Sequence, residues 1–374
     1  MVAELRRWKE SWVWRWEDDS RMNLVVFGLS ITSSWGNGHA TTYRALLREL
    51  SKLGHHVVFL ERDVPWYAPH RDMIAPAFCA VELYRDPEDL RRRFVEVVRS
   101  ADAVIVGSYV PDGVTIGEWV LATARGVTAF YDIDTPVTLA KLEQADFEYL
   151  SPDLIPRYRI YFSFAGGASL RRLEKEYGSP AARALYCSAD PELYYPQEFQ
   201  KTWTLGYLGT YSDDRQPALN RYLVQAALRL PTVRFAVFGP GYPQEIAWPP
   251  NVDRTEHLPP DQHRRFYNEQ RFTLNVTRAS MRRLGFSPSV RLFEAAACGV
   301  PIISDVWDGI EMFFEPDKEI MLVRTTDEMV YILRELPHRE CVQIGARARQ
   351  RFLRDHTPRQ RAIEFVTSLA EAAR

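Results

Sequence analysis

A helix N-terminus built from small hydroxyl residues is the first candidate for chemistry in this chain. In the stretch FSPSVRLFEAAACGVPIISD, residues 286–305, Ser287 and Ser289 stand just before a helical pattern. The backbone N–H groups of Ser289, Val290 and Arg291 are therefore predicted to lack intrahelical partners, and the helix dipole adds partial positive charge beside them. A phosphate group is the ligand that such a site favours.

Two charged side chains are predicted to share one face of this helix. Arg291 can supplement the positive charge of the helix tip with forked hydrogen bonds. Glu294 follows three positions later, and its carboxylate can accept hydrogen bonds from the vicinal hydroxyls of a ribose, set back from a diphosphate. The alternative is an exposed Arg291–Glu294 ion pair of small energetic value. The apolar neighbours of Glu294, which include Phe293 and Ala295, favour burial and ligand binding.

A glycine-rich turn, SSWGNGHATT at residues 33–42, follows the first predicted strand. Its glycines let the backbone turn sharply or approach a ligand. His39, near the start of the next helix, is predicted to be a general base or a hydrogen-bond donor to a sugar oxygen. A capping or packing role for His39 is the alternative. The residues that we expect to contact the acceptor are Trp35, Gly36, Asn37 and Gly38.

Two carboxylates leave a predicted buried strand in FYDIDTPVTL, residues 130–139. The spacing of Asp132 and Asp134 resembles the DxD motif of metal-dependent sugar transferases, but a single pair is weak evidence for a metal. One of them is expected to cap the next helix. Asp134 is predicted to face a cleft and contact an acceptor hydroxyl.

Several further residues at strand ends are candidates for binding a nucleotide. In GYLGTYSDDRQ, Gly209 and Thr210 end a strand, and Arg215 precedes a helix. His257 and Leu258 follow a short strand and are predicted to lie against a base through backbone groups and stacking. Arg278 is predicted to bind phosphate, whereas Arg282 and Arg283 are expected on a solvated loop.

The elements that must position these residues form two α/β halves. Short apolar runs such as NLVVFGL alternate with helical patterns, which predicts mostly parallel sheets with helices on both faces. The predicted parts are a Trp-rich helical extension at 1–21, a Rossmann-like acceptor domain at 22–186, a linker at 187–200 and a second Rossmann-like domain at 201–356. Parallel sheets bind ligands at the carboxyl ends of their strands, so a cleft between the two halves is the expected site.

Composition restricts the class of protein. The 374 residues include 47 basic and 49 acidic side chains, a net charge of −2, which gives no global reason to expect nucleic acid or an anionic membrane as partner. The four cysteines form no CxxC pair, and there is no signal-peptide pattern or membrane-length apolar run. We therefore expect a reduced, cytoplasmic protein without a metal cluster or disulfide framework.

The first twenty residues stand apart. Trp8, Trp12 and Trp16 fall at i, i+4 and i+8, so a helix would carry one aromatic stripe. Packing of this helix on the body is the favoured interpretation, and a membrane-surface or partner-binding helix is the alternative.

The chain from about residue 23 resembles GT-B-fold glycosyltransferases, in particular the group related to the spore maturation protein CgeB. The stretches SVRLFEAAACGVPIISD, LGYLGTYSDDRQ, SADPELYYP and GNGHATTYRALLRELSKLGHHVVFLERD carry the resemblance. It implies two facing Rossmann-like domains, with the nucleotide-sugar on the C-terminal domain and the acceptor on the N-terminal one. It also implies that a helix at 357–374 crosses back to the N-terminal domain, and that no metal or other cofactor is required.

One position departs from the family pattern. Related retaining transferases often carry two glutamates eight positions apart, and here Phe286 occupies the earlier position while Glu294 keeps the later one. His39 resembles a first-loop histidine that acts as base in some inverting relatives. The stereochemistry of transfer is therefore left open.

The expected activity is transfer of a sugar from a nucleoside-diphosphate sugar, with UDP- or dTDP-sugars favoured, to an unidentified acceptor hydroxyl. Two alternatives remain open at this point: a nucleotide-sugar 2-epimerase on the same fold, and a non-catalytic nucleotide-sugar-binding partner protein. A glycan, natural product, protein or nucleic acid is possible as acceptor.

Overall fold

The computed structural model describes residues 21–35 and 37–374. The predicted Trp-rich extension, apart from Arg21, lies outside the described residues, as does Gly36. None of the described helices is long and apolar enough to cross a membrane.

The N-terminal half contains a seven-stranded sheet in which every strand pairs in parallel with its neighbour. The strand order is β3-β2-β1-β4-β5-β6-β7: β2 and β3 are added on one side of β1, and β4 to β7 are added on its other side. The central strands are buried along their whole length, as their continuous Val, Ile, Leu and Phe runs predict. The strands are Asn23–Gly28 (β1), His56–Arg62 (β2), Ala80–Tyr84 (β3), Ala103–Gly107 (β4), Val127–Asp132 (β5), Ile160–Ser163 (β6) and Ala182–Ala184 (β7).

Helices cover both faces of this sheet. One apolar cluster packs Leu90, Phe94 and Leu139 on one face, and another packs Leu46 and Leu50 on the other. The helices are Gly38–Lys52 (α1), Pro87–Ser100 (α2), Gly113–Thr123 (α3), Thr135–Glu143 (α4) and Ala168–Lys175 (α5), with single 3₁₀ turns at Ala68–His70 and Ile155–Arg157.

The C-terminal half repeats the architecture with a six-stranded parallel sheet. Its order is β10-β9-β8-β11-β12-β13, so strands are again added first on one side of the first strand, β8, and then on the other. Two such doubly wound sheets are the predicted fold class, and this prediction is confirmed. The strands are Trp203–Leu208 (β8), Phe235–Phe238 (β9), Val252–Thr255 (β10), Gln270–Asn275 (β11), Ile302–Asp305 (β12) and Met321–Val323 (β13).

The helices of the second half include one irregular helix and one that was not predicted. The helix after β8 contains a π-helical turn at Asn220–Val224. A short helix covers Ala279–Leu284, where the sequence favoured a loop for Arg282 and Arg283; both side chains are exposed, but the loop prediction is wrong. The helices are Gln216–Leu219 through Gln225–Arg229 (α6), Pro260–Asn268 (α7), Ala279–Leu284 (α8), Val290–Ala297 (α9), Thr326–Glu335 (α10), His338–Asp355 (α11) and Pro358–Ala372 (α12), with a 3₁₀ turn at Ile310–Met312.

The two halves contact each other through α12 and α8. Phe365 and Leu369 of α12 belong to the apolar cluster of the N-terminal half, and α12 packs against α1. On the other side of the molecule, α8 contacts α4, and its Leu284 packs against the N-terminal core. The two contacts therefore connect the halves through opposite faces of the N-terminal sheet.

The loop after β1 is held by one buried carboxylate. Glu61, at the end of β2, is fully buried and accepts hydrogen bonds from the backbone N–H groups of Ile31 (2.7 Å) and Thr32 (3.0 Å). It also accepts from the hydroxyls of Ser30 (2.9 Å) and Thr32 (2.5 Å). A charge at this depth is tolerated only with such full satisfaction, so Glu61 fixes the start of the loop that carries Trp35 and His39.

Replacing Glu61 by alanine is expected to lower the stability of the N-terminal domain by about 3 kcal/mol, because several buried donors lose their acceptor. Hydrogen exchange provides a local measurement, since the amides of Ile31 and Thr32 should exchange faster in Glu61→Ala. Glu96→Ala is the control, because Glu96 is exposed and its side chain pairs only with Arg99. Unchanged protection of Ile31 and Thr32 in Glu61→Ala would contradict the assigned role.

Candidate functional site

The carboxyl ends of the two sheets meet in a cleft. The turn after β6 touches the segment just before α9, where the backbone N–H of Gly166 donates to the carbonyl of Phe286 over 2.9 Å. Across the same cleft, the charge of Arg278 in the C-terminal half acts on Asp134 in the N-terminal half. The predicted nucleotide and acceptor residues therefore lie on opposite walls of one cleft.

The tip of α9 is organised around a buried amide. Ser289 is the N-terminal cap residue of α9, and its hydroxyl donates to Oδ1 of Asn275 over 3.0 Å but accepts from no N–H group of the helix. Arg291 Nη1 donates to the same oxygen over 3.3 Å, and Arg291 Nε donates to the carbonyl of Leu208. The capping position thus has no side-chain cap, which leaves the first N–H groups of α9 available to an anion.

Three guanidinium groups surround this tip without a direct ion pair to a carboxylate. In the part of the chain that the structure describes, Arg215, Arg278 and Arg291 form no ion pair with Asp or Glu. Burial lowers the pKa of Arg215, and the charges of Arg291 and Arg278 lower it further. The Nε atom of Arg215 is buried without a hydrogen-bond partner. Concentrated positive charge that is not held in ion pairs is suited to a di-anionic ligand.

Glu294 lies one turn behind the tip and is buried, with 7% of its surface exposed. Its Oε2 accepts a hydrogen bond from the hydroxyl of Tyr267 over 2.7 Å. Burial raises the pKa of Tyr194, and the nearby charge of Glu294 raises it further. Glu294 therefore does not form the exposed pair with Arg291 that was the sequence alternative. The Tyr194 side chain also forms a hydrogen bond with Glu294.

The turn after β8 lies against Arg291. A side chain at Gly209 would place its Cβ 3.1 Å from Arg291 Nη2 and 2.7 Å from the hydroxyl of Tyr207, so only glycine leaves the guanidinium in place. Arg215 Nη2 donates to the carbonyl of Thr210 over 2.6 Å, which fixes Arg215 at the start of α6. Gly209, Thr210 and Arg215 are thus brought together with the α9 tip.

The other residues that were predicted to bind the nucleotide lie around the same edge of the sheet and make fewer contacts with the arginine cluster. His257 is exposed, and Leu258 packs against the ring cluster of Phe238 and Phe266. The carbonyl of Leu258 lies 3.1 Å from Nε2 of His263. Ser287 is buried, and Val290 is exposed at the helix tip. Their contact with a base or phosphate stays a prediction.

His39, Tyr109 and Asp134 form the opposite wall. The rings of His39 and Tyr109 meet edge to face at 5.2 Å, and the Tyr109 hydroxyl donates to Oδ2 of Asp134 over 3.3 Å. Burial raises the pKa of Asp134, and the charge of Arg278 partly offsets that effect. Burial lowers the pKa of His39 to about 4, and its Nδ1 has no partner among the described residues. His39 is therefore neutral at physiological pH, with a ring nitrogen available to a ligand.

Asp132 has a structural role in the core beneath this wall. It is fully buried, its Oδ2 accepts from the hydroxyl of Tyr161 over 2.6 Å, and its Oδ1 accepts from that of Thr138 over 2.7 Å. Burial raises its pKa to about 6. Asp132 also accepts from the backbone N–H of Asp134, so the two carboxylates do not converge on one point. No cluster of three or more His, Cys, Asp or Glu residues within the described residues is arranged to hold a metal ion.

The predicted acceptor loop is only partly exposed. Trp35 is 57% exposed and stacks on His70 with ring centroids 4.3 Å apart. Asn37 is 4% exposed and is the cap residue of α1: its Oδ1 accepts from the backbone N–H of His39, and its Nδ2 donates to two loop carbonyls. Gly38 is exposed, with open space where a Cβ would stand. Trp35 and Gly38 can therefore contact a ligand, whereas the Asn37 side chain is used for capping.

Phe286 joins the two domains. Its ring lies 2.3 Å from where a Cβ would stand at Gly167 of the N-terminal half and at Gly309 of the C-terminal half, so both positions require glycine. Its backbone has φ +47°, a value rarely found outside glycine, and its N–H donates to the carbonyl of Asp308. Phe286 is thus an apolar residue that packs between the domains.

Sequence reasoning missed three residues of this site. Asn275, Asp305 and Tyr267 all lie at or beyond strand and helix ends, and each is buried. Burial raises the pKa of Asp305 to about 6, while Thr277 donates to it through both its backbone N–H and its hydroxyl. The signal that could have found Asn275 and Asp305 is their position at the carboxyl ends of β11 and β12, beside the predicted phosphate site.

The fold and site together define a protein with two Rossmann-like domains that face each other across a cleft, which is the GT-B arrangement. A family model described as "Glycosyl transferase-like" matches residues 215–367, the part of the chain that contains the α9 tip and all three arginines. No curated protein matches the sequence.

Solved structures with the same fold cover almost the whole chain. Sucrose-phosphate synthase from Thermosynechococcus elongatus is 13% identical with a TM-score of 0.68, and the match covers 94% of this chain and 99% of that one. Anabaena HepE in complex with UDP-glucose is 12% identical with a TM-score of 0.67, covering 94% and 100%. Trehalose-6-phosphate synthase OtsA is 9% identical with a TM-score of 0.68, covering 93% and 99%. The predicted GT-B fold is confirmed.

The lowered pKa of His39 predicts a pH dependence of stability. The unfolded chain binds a proton on His39 near pH 6.5, but the folded chain does so only near pH 4. The unfolded state therefore holds more protons in this window, and stability decreases as pH falls from about 6.5 to 4. We expect His39→Gln to lose less stability than wild type between pH 7.5 and 5, measured as the change in Tm.

The matched control is His338→Gln, because His338 is exposed at the start of α11. The pKa of buried His356 is also lowered to about 4, but it is present in every protein compared and cancels. If His39→Gln and wild type lose the same Tm over this pH range, His39 is not held neutral by burial.

Proposed function

We propose that this protein is a glycosyltransferase that moves a sugar from a nucleoside-diphosphate sugar to an acceptor hydroxyl. UDP- and dTDP-sugars are the favoured donors, and no catalytic metal is needed. The activity would place the protein among hexosyltransferase-like enzymes. The narrower resemblance to the CgeB-related group is part of this proposal.

The observation that carries the proposal is the cluster of Arg215, Arg278 and Arg291 at the tip of α9, which has no ion pair to a carboxylate among the described residues. A departing diphosphate gains negative charge as its bond to the sugar breaks. Preorganised guanidinium and backbone N–H groups stabilise that charge most where it develops, in a site with little water. The same groups supply the charge stabilisation that a metal ion provides in other transferases, which supports metal-independent transfer.

The geometry behind the tip supports a nucleoside on the same wall. Glu294 is buried and is oriented by hydrogen bonds with Tyr267 and Tyr194. A carboxylate has about four acceptor sites, so these two contacts leave capacity for a ligand. The two vicinal hydroxyls of a ribose can donate to the two oxygens of a carboxylate. A buried carboxylate strongly favours a ligand that donates hydrogen bonds to it. Anabaena HepE, which has the same fold, has been solved with UDP-glucose, and this supports a uridine nucleotide as the first donor to test.

The acceptor is proposed to bind on the N-terminal wall. His39 offers a neutral ring nitrogen, and Asp134 lies beside it through Tyr109. An imidazole whose pKa is about 4 is a weak base at neutral pH, so positioning of the acceptor hydroxyl by a hydrogen bond is its favoured role. Exposed Trp35, beside the same loop, is suited to contact the rest of the acceptor.

Ligand-induced stabilisation tests the donor site. A nucleotide-sugar present at one hundred times its Kd stabilises a protein by about 2.7 kcal/mol, which a thermal-shift measurement detects. We expect UDP-, dTDP- or GDP-glucose to raise Tm, and Glu294→Ala to remove most of that rise, because the ribose loses its acceptor. Exposed Glu311 provides the control, and Glu311→Ala should keep the full shift. Equal shifts in all three proteins would remove Glu294 from the site.

Incubation with the donor alone separates transfer from its alternatives. A glycosyltransferase is expected to hydrolyse the donor slowly to nucleoside diphosphate and free sugar, with faster release once a suitable acceptor is added. Formation of an epimeric nucleotide-sugar, followed by NMR, would instead identify an epimerase. Binding without any turnover over a broad set of acceptors would identify a non-catalytic binding protein.

The arginine cluster predicts a charge-dependent affinity that neighbouring arginines do not share. Arg278→Ala is expected to weaken the binding of nucleoside diphosphate about tenfold, in line with the loss of one charged hydrogen bond, about 1.5 kcal/mol. Arg283 lies five positions away, is exposed, and has no ion pair among the described residues. Arg283→Ala should therefore keep the wild-type Kd, measured by calorimetry. Equal losses in the two variants would indicate a diffuse effect of net charge rather than a phosphate contact.

A further inference from the structure

We infer that Asn275 is a positioning residue for the diphosphate site: it orients Ser289 and Arg291 so that the α9 tip is preformed. This inference rests on the proposed function, since it concerns how the same site is held in the shape that binds a nucleoside diphosphate.

The Asn275 side chain is 1% exposed, and its amide is used completely. Its Nδ2 donates to the hydroxyls of Ser304 (2.9 Å) and Thr277 (3.2 Å). Its Oδ1 accepts from Ser289 Oγ (3.0 Å) and Arg291 Nη1 (3.3 Å). The two hydroxyl partners lie on the side of Asp305, so the amide has a defined orientation, with its oxygen towards the helix tip.

The orientation of the Asn275 amide is set by Asp305 through the hydroxyls of Thr277 and Ser304. Thr277 donates its hydroxyl to Asp305 Oδ1 over 2.8 Å, and Ser304 donates to the backbone carbonyl of Asp305 over 3.0 Å. Because both hydroxyl hydrogens are used in this way, the oxygens of Thr277 and Ser304 are left to accept from the Asn275 amide. The resulting chain of hydrogen bonds runs from Asp305, at the end of β12, to the first turn of α9.

The consequence of this chain concerns the two groups at its end. Ser289 would ordinarily cap its own helix, as serine does at this position. Here its side chain is turned towards Asn275, and its oxygen accepts from Arg291 Nη1 over 3.3 Å rather than from a helix N–H, so the tip has no side-chain cap and can bind a ligand. Arg291 is a flexible side chain that loses rotamer entropy when it is fixed, and its contacts with Asn275, Leu208 and Tyr207 hold it in one arrangement before a ligand arrives.

Asn275 does not reach the nucleoside, since every one of its hydrogen-bonding atoms already has a protein partner. Its effect should therefore act on phosphate binding alone. A merely structural amide would change the affinity for uridine and UDP to the same extent, whereas a positioning residue changes only the affinity for UDP.

The experiment compares the Kd of UDP, by calorimetry, with the Kd of uridine, by ligand-observed NMR, in wild type and variants. In Asn275→Ala we expect UDP to bind at least tenfold more weakly, with less than a twofold change for uridine. Asn251→Ala is the matched control, because half-buried Asn251 donates to three backbone carbonyls at the opposite end of the domain. It should lower Tm without changing either Kd.

A second variant covers the case in which Asn275→Ala does not fold. Asn275→Asp has the same size and places a carboxylate beside Arg291, so it should also weaken UDP at least tenfold while uridine is unaffected. Unchanged UDP affinity in the folded variants, or equal losses for UDP and uridine, overturns the positioning role while the proposed function stands. Failure of wild type to bind UDP, dTDP or GDP overturns the proposed function, and the inference with it.

Discussion

The constraint on which the rest of the site depends is a group of three guanidinium groups around the uncapped tip of α9, none of which forms an ion pair with a described carboxylate. Like charges at this proximity destabilise a folded chain unless a counter-charge binds. The surrounding structure holds two of the three: Arg291 on the carbonyl of Leu208 and the ring of Tyr207, and Arg215 on the carbonyl of Thr210. Such an arrangement is suited to binding an anion.

Glycine positions allow the two domains to approach that site. A Cβ at Gly209 would collide with Tyr207 and crowd Arg291, and a Cβ at Gly167 or Gly309 would collide with the ring of Phe286. The charged tip and the apolar interdomain contact are therefore separated by only the short segment 286–289. In this arrangement the Phe286 side chain contributes to the contact between the two halves rather than to the charged tip.

Sequence patterns predicted the parallel sheets and the α9 tip well because both rest on local rules: continuous apolar runs, and small hydroxyl residues before a helix. They could not predict Asn275 or Tyr267, since a buried polar side chain has no periodicity, and its role depends on which strand ends the fold brings together. Asn37 shows the opposite case, in which a residue predicted to contact a ligand has a structural role. Its loop suggested ligand contact, but the geometry of α1 uses the amide as a cap. The α8 helix was missed because six residues carry too little helical pattern.

The two walls of the cleft differ in how they can assist a reaction. The C-terminal wall carries fixed positive charge, whereas the N-terminal wall presents a histidine kept neutral by burial and an aspartate whose pKa burial raises. Fixed positive charge stabilises an anionic leaving group without any proton transfer. Neutral groups on the opposite wall can hold a hydroxyl without attracting the positive charge away from the leaving group. Bond breaking at the diphosphate is thus expected to run ahead of deprotonation of the acceptor. In such a reaction the proton of the acceptor can be lost late, when the developing bond has made the hydroxyl acidic, so a weak base at His39 is sufficient.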